Sequence, residues 1–321
     1  MQKINVLVTG VGAIIGYGIV RSLRSCRYDV NIIGMDVYSD AVGQKWCDSF
    51  IQAVWATDEN FFDFLAGVIE TQRIDLVFFG LEPEIHRICD NPDALREHAH
   101  KLILNRHTLI DLARDKWRMF EYLDAHGVKT IKSLITGEYD TVIGALGVPL
   151  IIKPRHSTAS KGLATVNVRN DFYYWKNKLG EDFMAQEFVG DNAHEYTVGV
   201  FGLGDGSFSQ SIAFSRKLGR EGSTVKAQTV NIPELDREVE TLTALFKPIG
   251  PTNYQFRRHM DDYLLLEVNP RFSSSLSLRT AFGYNEPEMC IKYFLQKNKP
   301  APVVLKQGSA VRYIEDVVNY T

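Results

Sequence analysis

The chain has 321 residues, of which 45% are hydrophobic and 23% charged, and its 36 Lys and Arg against 39 Asp and Glu give a net charge of −3. This composition excludes a disordered chain, a collagen-like repeat and a coiled coil. The near-neutral charge does not indicate a nucleic-acid partner, and the length favours about two domains.

The first third of the chain alternates strand patterns with helix patterns. In chain order we predict a strand at 4–9, a helix at 16–25, strands at 30–36 and 74–80 around a helix at 59–73, a helix at 84–99 and a strand at 101–104. Such alternation predicts a doubly wound parallel α/β sheet covered on both faces. We place this domain at residues 1–112.

The remaining two thirds predict a smaller and a larger α+β unit. The smaller, at 113–190, begins with a helix at 115–127 and could move as a lid; the larger covers 191–321. The further predicted elements are strands at 148–153, 163–168, 183–189, 195–202, 208–215, 253–260, 262–269 and 308–316, and helices at 170–179, 233–247 and 285–297.

The apolar stretch Ile4–Val20 resembles a signal peptide only superficially. It is interrupted by four glycines, no small-residue cleavage site follows it, and it falls short of the ~20 apolar residues of a membrane span. The four cysteines are widely spaced, without zinc spacing. We therefore expect a cytoplasmic protein with reduced thiols and no membrane partner.

A glycine-rich segment, Thr9–Gly16, lies between the first predicted strand and helix. It could bind an anion or cofactor at the helix N-terminus, and Asp36 follows where a dinucleotide-binding fold often places its ribose carboxylate. The spacing G-x-G-x-x-x-G is one residue longer than that fold's fingerprint. Cofactor binding, substrate binding and tight-turn packing all stay open.

The string Glu267-Val268-Asn269-Pro270-Arg271 is the most informative segment. On an extended strand Glu267, Asn269 and Arg271 share one face, which leaves Leu264, Leu266 and Val268 to point into a core. The oxygens of Glu267 and Asn269 suit Mg²⁺, and the guanidinium suits phosphate or carboxylate. The alternative is a solvated strand end with a surface ion pair.

This string resembles the metal-binding signature of the ATP-grasp superfamily, most closely that of the carbamoyl-phosphate synthetase large chain. The resemblance covers nearly the whole chain. It implies an N-terminal domain followed by an ATP-grasp module, made of a lid subdomain and a C-terminal subdomain. It also implies ATP as a ligand, with two Mg²⁺ ions or with Mn²⁺ in their place.

The resemblance also implies roles for individual residues. Gln255, Glu267 and Asn269 match the metal ligands, and Arg271 matches the arginine beside the transferred phosphate. Lys153 and, less closely, Lys116 match basic residues at the ATP phosphates. The remaining matches are Gln186, Glu187, Phe188 and Val189 at adenine, Glu195 at the ribose hydroxyls, and Arg216 and Arg220 beside an acyl phosphate.

One segment departs from the family pattern. The family's lid has a glycine-rich phosphate loop after the position of Lys153, but here residues 157–162 contain one glycine. Ser157, Ser160 and Lys161 could still contact phosphate oxygens, whereas the close backbone approach that glycines permit is in doubt. The chain also lacks the further domains of the large synthetase, which argues against carbamoyl phosphate as its product.

These observations predict an ATP- and Mg²⁺-dependent carboxylate–amine or carboxylate–thiol ligase. Its partners would be small-molecule carboxylates and amines, including amino acids; Asp36, Glu82 and Glu84 are candidates for holding an ammonium group. Two alternatives stay open, an ATP-binding module without ligase chemistry and a nicotinamide-dependent oxidoreductase. The oligomeric state is also left open.

Overall fold

The computed structural model describes residues 3–157, 162–191, 193–219 and 222–318. Its N-terminal part is the predicted parallel sheet, with strand order β3-β2-β1-β4. The elements are β1 (Ile4–Thr9), α1 (Ile14–Arg24), β2 (Val30–Asp36), β3 (Ser49–Gln52), α2 (Phe61–Thr71), β4 (Leu76–Phe78), α3 (Glu82–Asp90) and α4 (His107–Arg114). Val6, Leu7 and Val8 of β1 are fully buried, because helices cover both faces of the sheet.

Two predictions for this region were wrong in detail, and one strand was not predicted. The helix expected at 84–99 ends at Asp90, because Pro92 disfavours helical backbone at Asn91, and a 3₁₀ turn occupies Arg96–Lys101. The strand expected at 101–104 is reduced to a parallel bridge between Val77 and Leu102. Strand β3 was not predicted, since its four residues are too few to show a pattern.

The middle of the chain forms a four-stranded antiparallel sheet of order β5-β8-β6-β7 with its own small core around Phe172. Its elements are α5 (Lys116–Ala125), β5 (Ser133–Leu134), α6 (Tyr139–Leu146), β6 (Leu150–Pro154), β7 (Ala164–Val166), α7 (Arg169–Leu179) and β8 (Phe183–Glu187). The Asp115 carboxylate begins α5 by accepting the backbone N–H groups of Trp117 and Arg118 at 2.9 and 3.3 Å.

The last part is a six-stranded sheet of order β13-β12-β9-β10-β11-β14, in which all neighbours are antiparallel. Its elements are β9 (Glu195–Leu203), β10 (Phe208–Leu218), β11 (Thr224–Val230), α8 (Pro233–Phe246), β12 (Ile249–His259), β13 (Asp262–Asn269), α9 (Leu276–Ala281), α10 (Glu286–Cys290) and β14 (Ser309–Val311). The predicted strand at 308–316 is thus shorter, and β11 and α9 were not predicted.

The N-terminal sheet and the six-stranded sheet share one hydrophobic core. Val8 and Ile19 of the first domain are buried together with Phe201 and Phe214 of the six-stranded sheet. Helix α8 covers the other face of that sheet, where Val239 packs near Tyr254. The first domain is therefore packed against the C-terminal sheet.

The domain boundaries at 112 and 190 remain a prediction. Among the described residues, no helix has both the length and the apolar character needed to cross a membrane.

Candidate active site

A cleft of about 1200 Å³ lies between the middle sheet, the six-stranded sheet and the start of α1 and α3. Every described residue that the resemblance assigns to ATP, metal or acyl-phosphate binding lines this cleft: Lys116, Lys153, Ser157, Gln186, Glu187, Phe188, Val189, Glu195, Arg216, Gln255, Glu267, Asn269 and Arg271. Ser160, Lys161 and Arg220 lie outside the described residues. Residues from two sheets and from the start of α5 thus converge, although their roles remain predictions.

Lys153, near the end of β6, is a buried cation without a carboxylate partner among the described residues. Its Nζ donates to Gln186 Oε1 at 2.7 Å and lies 5.5 Å from the centre of the Phe120 ring. Burial, reinforced by the nearby Lys116, lowers the pKa of Lys153 to about 7, although Glu267 acts in the opposite direction. An arriving phosphate would therefore favour the protonated form.

We expect ATP binding at pH 8 to take up protons at Lys153. Free Lys153, with its pKa near 7, is then mostly neutral, and a bound polyphosphate raises the pKa; at pH 6 the lysine is already charged, so the uptake declines. Calorimetry in two buffers of different ionisation enthalpy measures this uptake. Lys153→Met should abolish it and Lys132→Met, on the exposed lid surface, should not. Equal binding heats in both buffers would contradict the prediction.

Lys116 connects the start of α5 to the segment that follows β6. Its Nζ donates to the backbone oxygen of Ser157, to Ser157 Oγ at 3.2 Å and to the Arg155 carbonyl at 3.4 Å. Burial lowers the pKa of Lys116. Ser157, the described end of the predicted phosphate loop, is therefore held against the Lys116 ammonium group.

Glu195 is almost completely buried between two arginines. Its Oε1 accepts from Arg216 Nη2 at 2.7 Å, and its Oε2 accepts from Arg257 Nη2 at 2.7 Å. Arg257 lies opposite Glu195 in the pairing of β12 with β9. Sequence analysis missed Arg257, although it follows Gln255 by two residues on one strand. A ribose contact of Glu195, which stays a prediction, would use its remaining lone pairs.

A β-bulge shapes the centre of the site. Gln255 pairs with Glu267 and Phe256 with Leu265, which leaves Leu266 without an opposite residue. Leu266 and Glu267 consequently both line the cleft. The expectation that Leu264, Leu266 and Val268 share one face was therefore wrong: Val268 is in the core beneath α8, whereas Leu264 is buried in a separate small core with Val189, against which Leu266 packs.

Glu267 is the carboxylate among the predicted metal ligands. No described residue hydrogen-bonds to it, although its charge acts on Lys116, Lys153 and Arg216. The oxygens of the two amide ligands each accept from an arginine: Gln255 Oε1 from Arg216 at 2.6 Å and Asn269 Oδ1 from Arg271 at 2.9 Å.

This donor set fits Mg²⁺, which prefers oxygen ligands and is commonly held by one or two carboxylates together with phosphates and water. The described residues contain no group of three or more His, Cys, Asp or Glu side chains arranged for a metal. An ion at Glu267 would thus take most of its ligands from phosphate, with Asn269 and Gln255 at the remaining positions.

Arg271, which follows β13, contacts the N-terminal domain across the cleft. Its Nη1 donates to the Phe272 carbonyl at 2.9 Å, and its Nη2 lies 3.3 Å from Glu82 Oε1 at the start of α3. The N-terminal domain thereby contributes a carboxylate next to the predicted phosphoryl-transfer site.

The glycine-rich turn packs against its own domain. Asp36 accepts the backbone N–H of Gly12 on one oxygen at 2.7 Å and that of Tyr38 on the other at 3.0 Å. A Cβ on Gly16 would collide with the Gly10 carbonyl. These contacts favour tight-turn packing, and Asp36 is not among the residues that line the cleft.

Glu84 is a buried acid in the same domain, and the Thr9 hydroxyl donates to it. Burial, with the charge of Asp36 as a lesser contribution, raises the pKa of Glu84 to about 8. The neutral form of Glu84 is thus favoured, and its burial argues against the predicted contact with a substrate ammonium group.

We expect Glu84→Gln to flatten the dependence of stability on pH. Because the folded pKa is raised, the native state binds more protons than the unfolded chain between pH 4.5 and about 8. This group therefore lowers the free energy of unfolding as pH rises, by at most ~1.4 kcal/mol per pH unit. Urea unfolding at pH 5 to 8 measures the effect, with exposed Glu97→Gln as control. Equal pH slopes for Glu84→Gln and wild type would refute it.

A buried ion pair lies directly beneath the site. Arg279 and Glu286 are fully buried, with Arg279 Nη1 3.1 Å from Glu286 Oε1. Arg279 Nη2 also donates to Asn253 Oδ1 and, at 3.2 Å, to Thr197 Oγ1. A Cβ on Gly199 would collide with this guanidinium. Sequence analysis missed the pair, whose contacts to Thr197 and Asn253 come from other strands of the folded chain.

Asn253, which lines the cleft, has its orientation set by this pair. Its Oδ1 accepts from Arg279 and, at 2.6 Å, from Thr197 Oγ1. Because the Asn253 oxygen already accepts from these two groups, the amide nitrogen is the group that can donate to a ligand in the cleft.

Comparisons with known proteins give one family match and two curated relatives. Residues 181–317 match the family model described as "ATP-grasp in the biosynthetic pathway with Ter operon". A D-alanine–D-alanine ligase of Chromohalobacter salexigens is 36% identical over 159 residues, which are 45% of this chain and 48% of that protein. A formate-dependent phosphoribosylglycinamide formyltransferase of Methanococcus maripaludis is 26% identical over 52% of this chain and 44% of its own length. The chain thus spans about half the length of these curated relatives.

The fold is similar to that of solved enzymes over almost the whole chain. N5-carboxyaminoimidazole synthetase from Staphylococcus aureus gives a TM-score of 0.72 at 17% identity, covering 95% of this chain and 79% of that one. The same enzyme complexed with ADP gives the same TM-score. The finer likeness to carbamoyl-phosphate synthetase stays a prediction. The ATP-grasp resemblance predicted from the sequence is confirmed for residues 181–317, which match an ATP-grasp family model, and the fold is similar to that of solved enzymes over almost the whole chain.

Proposed function

We propose that the chain is an ATP- and Mg²⁺-dependent ligase that joins a small-molecule carboxylate to an amine through an acyl phosphate, with amino acids among the candidate substrates. The observation that carries this proposal is the convergence of the described ATP-grasp positions on one cleft, where Glu267 keeps a free carboxylate among three cations.

In the first step a substrate carboxylate oxygen attacks the γ-phosphorus of ATP. The new O–P bond gives an acyl phosphate, the bond to the β-phosphate oxygen breaks, and ADP leaves. Lys116 and Lys153 neutralise phosphate charge, and Arg271 stands where the transferred group would lie, so catalysis rests on positioning and electrostatics. A Mg²⁺ ion held by Glu267, Asn269 and Gln255 would neutralise further charge on the phosphate oxygens.

In the second step the amine attacks the acyl carbon. A C–N bond forms, the C–O bond to phosphate breaks, and inorganic phosphate leaves while the nitrogen loses a proton. Arg216 was predicted to hold the substrate carboxylate. In the structure its guanidinium already donates to Glu195 and Gln255, so a substrate would have to share it.

An ADP-release screen tests this function. Purified full chain with ATP and Mg²⁺ is assayed with pooled amino acids, other small carboxylates and amines, and the active pools are then divided. We expect ADP release above the ATP-only rate in at least one pool that contains both a carboxylate and an amine, together with a condensed product by mass spectrometry. Tight ATP binding without stimulated ADP release across all pools would instead support an ATP-binding module.

A further inference from the structure

A second pocket reaches the same chemical centre from the side of α3 and α4. This side pocket has a volume of about 320 Å³, close to the lower limit of small-molecule sites. It shares with the main cleft Glu82, Ser157, Glu267, Asn269 and Arg271. Its inner end is therefore formed by the residues proposed to act in phosphoryl transfer, while its outer wall belongs to the N-terminal domain.

The two arginines that line the side pocket already contact carboxylates, and so does His156. Arg114 contacts Asp90 through two hydrogen bonds of 2.6 and 3.2 Å. Arg271 is held by Asn269 and Glu82, and His156 Nδ1 lies 2.7 Å from Asp182 Oδ1. The lining therefore has little positive charge left with which to bind a carboxylate or phosphate.

Two side chains of the side pocket, Glu82 and His86, can still accept a hydrogen bond, as can the proposed metal ligand Glu267. Glu82 and His86 are one helical turn apart on α3, so these two share a face. No described residue hydrogen-bonds to the His86 imidazole, and Glu82 contacts Arg271 through one oxygen. Ile85, Ile110 and Ala113 add an apolar wall. A carboxylate, an imidazole and an aliphatic wall fit a small alkylammonium ion.

The electrostatic surroundings of His86 favour its neutral form. Burial lowers its pKa; Arg114 and Arg271 act in the same direction, whereas Glu82 and Asp90 oppose it. A neutral imidazole can accept a proton at neutral pH.

We propose that the side pocket binds the amine substrate: Glu82 pairs with its ammonium group, and His86 accepts the proton that the nitrogen must lose before it attacks the acyl phosphate. This inference rests on the proposed ligase function. The proton balance is complete, because one proton passes from the ammonium to His86 and a second passes from the nitrogen to the departing phosphate as the amide forms.

Binding can be tested without turnover. The full chain labelled with ¹³C-histidine is titrated with isobutylammonium chloride, and with sodium chloride as the ionic control; His86→Asn identifies the His86 signal. We expect a saturable shift of that signal in wild type, which Glu82→Gln weakens at least about tenfold. A response no larger than that to sodium chloride, or one unchanged in Glu82→Gln, would overturn the proposal even if the chain proves to be a ligase.

The proton role is tested with the substrates found in the screen. Hydroxylamine is uncharged at neutral pH and can trap an acyl phosphate without prior loss of a proton. His86→Asn should lower amide formation by about 10²-fold at pH 7 and leave hydroxamate formation close to wild type. The control His100→Asn, at an exposed histidine of the same domain, should leave both unchanged. Amide formation within twofold of wild type in His86→Asn would refute the role.

Discussion

Replacing Glu267 with glutamine is expected to lower substrate-dependent ATP turnover by about 10²-fold or more. The substitution keeps the shape of the side chain but removes the carboxylate charge of the proposed metal-binding set, whose other members offer amide oxygens already held by arginines. Metal binding supplies several kcal/mol of charge stabilisation in the transition state, and each ~1.4 kcal/mol lost is tenfold in rate.

The measurement is ADP release as a function of Mg²⁺ concentration, with the active pool from the screen. Glu181→Gln is the matched control, because Glu181 is an exposed glutamate of the same chain outside the cleft. Thermal unfolding monitors the fold of both variants. Turnover above half of the wild-type value in Glu267→Gln at saturating Mg²⁺ would show that this carboxylate is not the metal ligand.

The sequence predicted most of this site because short-range patterns encode it. Glu267 and Asn269 alternate along β13, and the period of two places them on one face, while Arg271 follows directly after the strand. The parallel sheet of the first domain was likewise visible in the alternation of apolar runs and helical segments. In both cases local spacing alone determines the side-chain placement.

What escaped prediction depends on the register in which strands pair with one another. Arg257 reaches Glu195 only because β12 pairs with β9 in that register, and the bulge at Leu266 arises from the register of β12 with β13. No single strand shows either feature in its own sequence. The side pocket is a similar case, since α3 and the segment after β13 meet only in the folded chain.

Replacing Arg279 with methionine is expected to lower the free energy of unfolding by about 3–5 kcal/mol, the usual cost of removing one partner of a buried ion pair. Glu286 would stay fully buried without a cation. Burial already raises its pKa while Arg279 lowers it, so the variant should raise that pKa further. Because protonation relieves the buried charge, the destabilisation should grow as pH rises from 5 to 8. Urea unfolding across this range measures it; a loss below about 1 kcal/mol at pH 7 would contradict the prediction.

A double variant separates stability from the role of the pair in the site. Arg279→Met with Glu286→Leu removes both charges, and replacing a buried pair by apolar residues is often neutral or stabilising, so most of the stability should return. Asn253 Oδ1 would nevertheless keep only its bond from Thr197, and its amide would no longer be held toward the cleft. We therefore expect the double variant to unfold near the wild-type urea midpoint while its ATP turnover stays at least about tenfold lower. If stability and turnover recovered together, the pair would serve folding alone; if only stability recovers, Arg279 is a positioning residue that acts through Asn253.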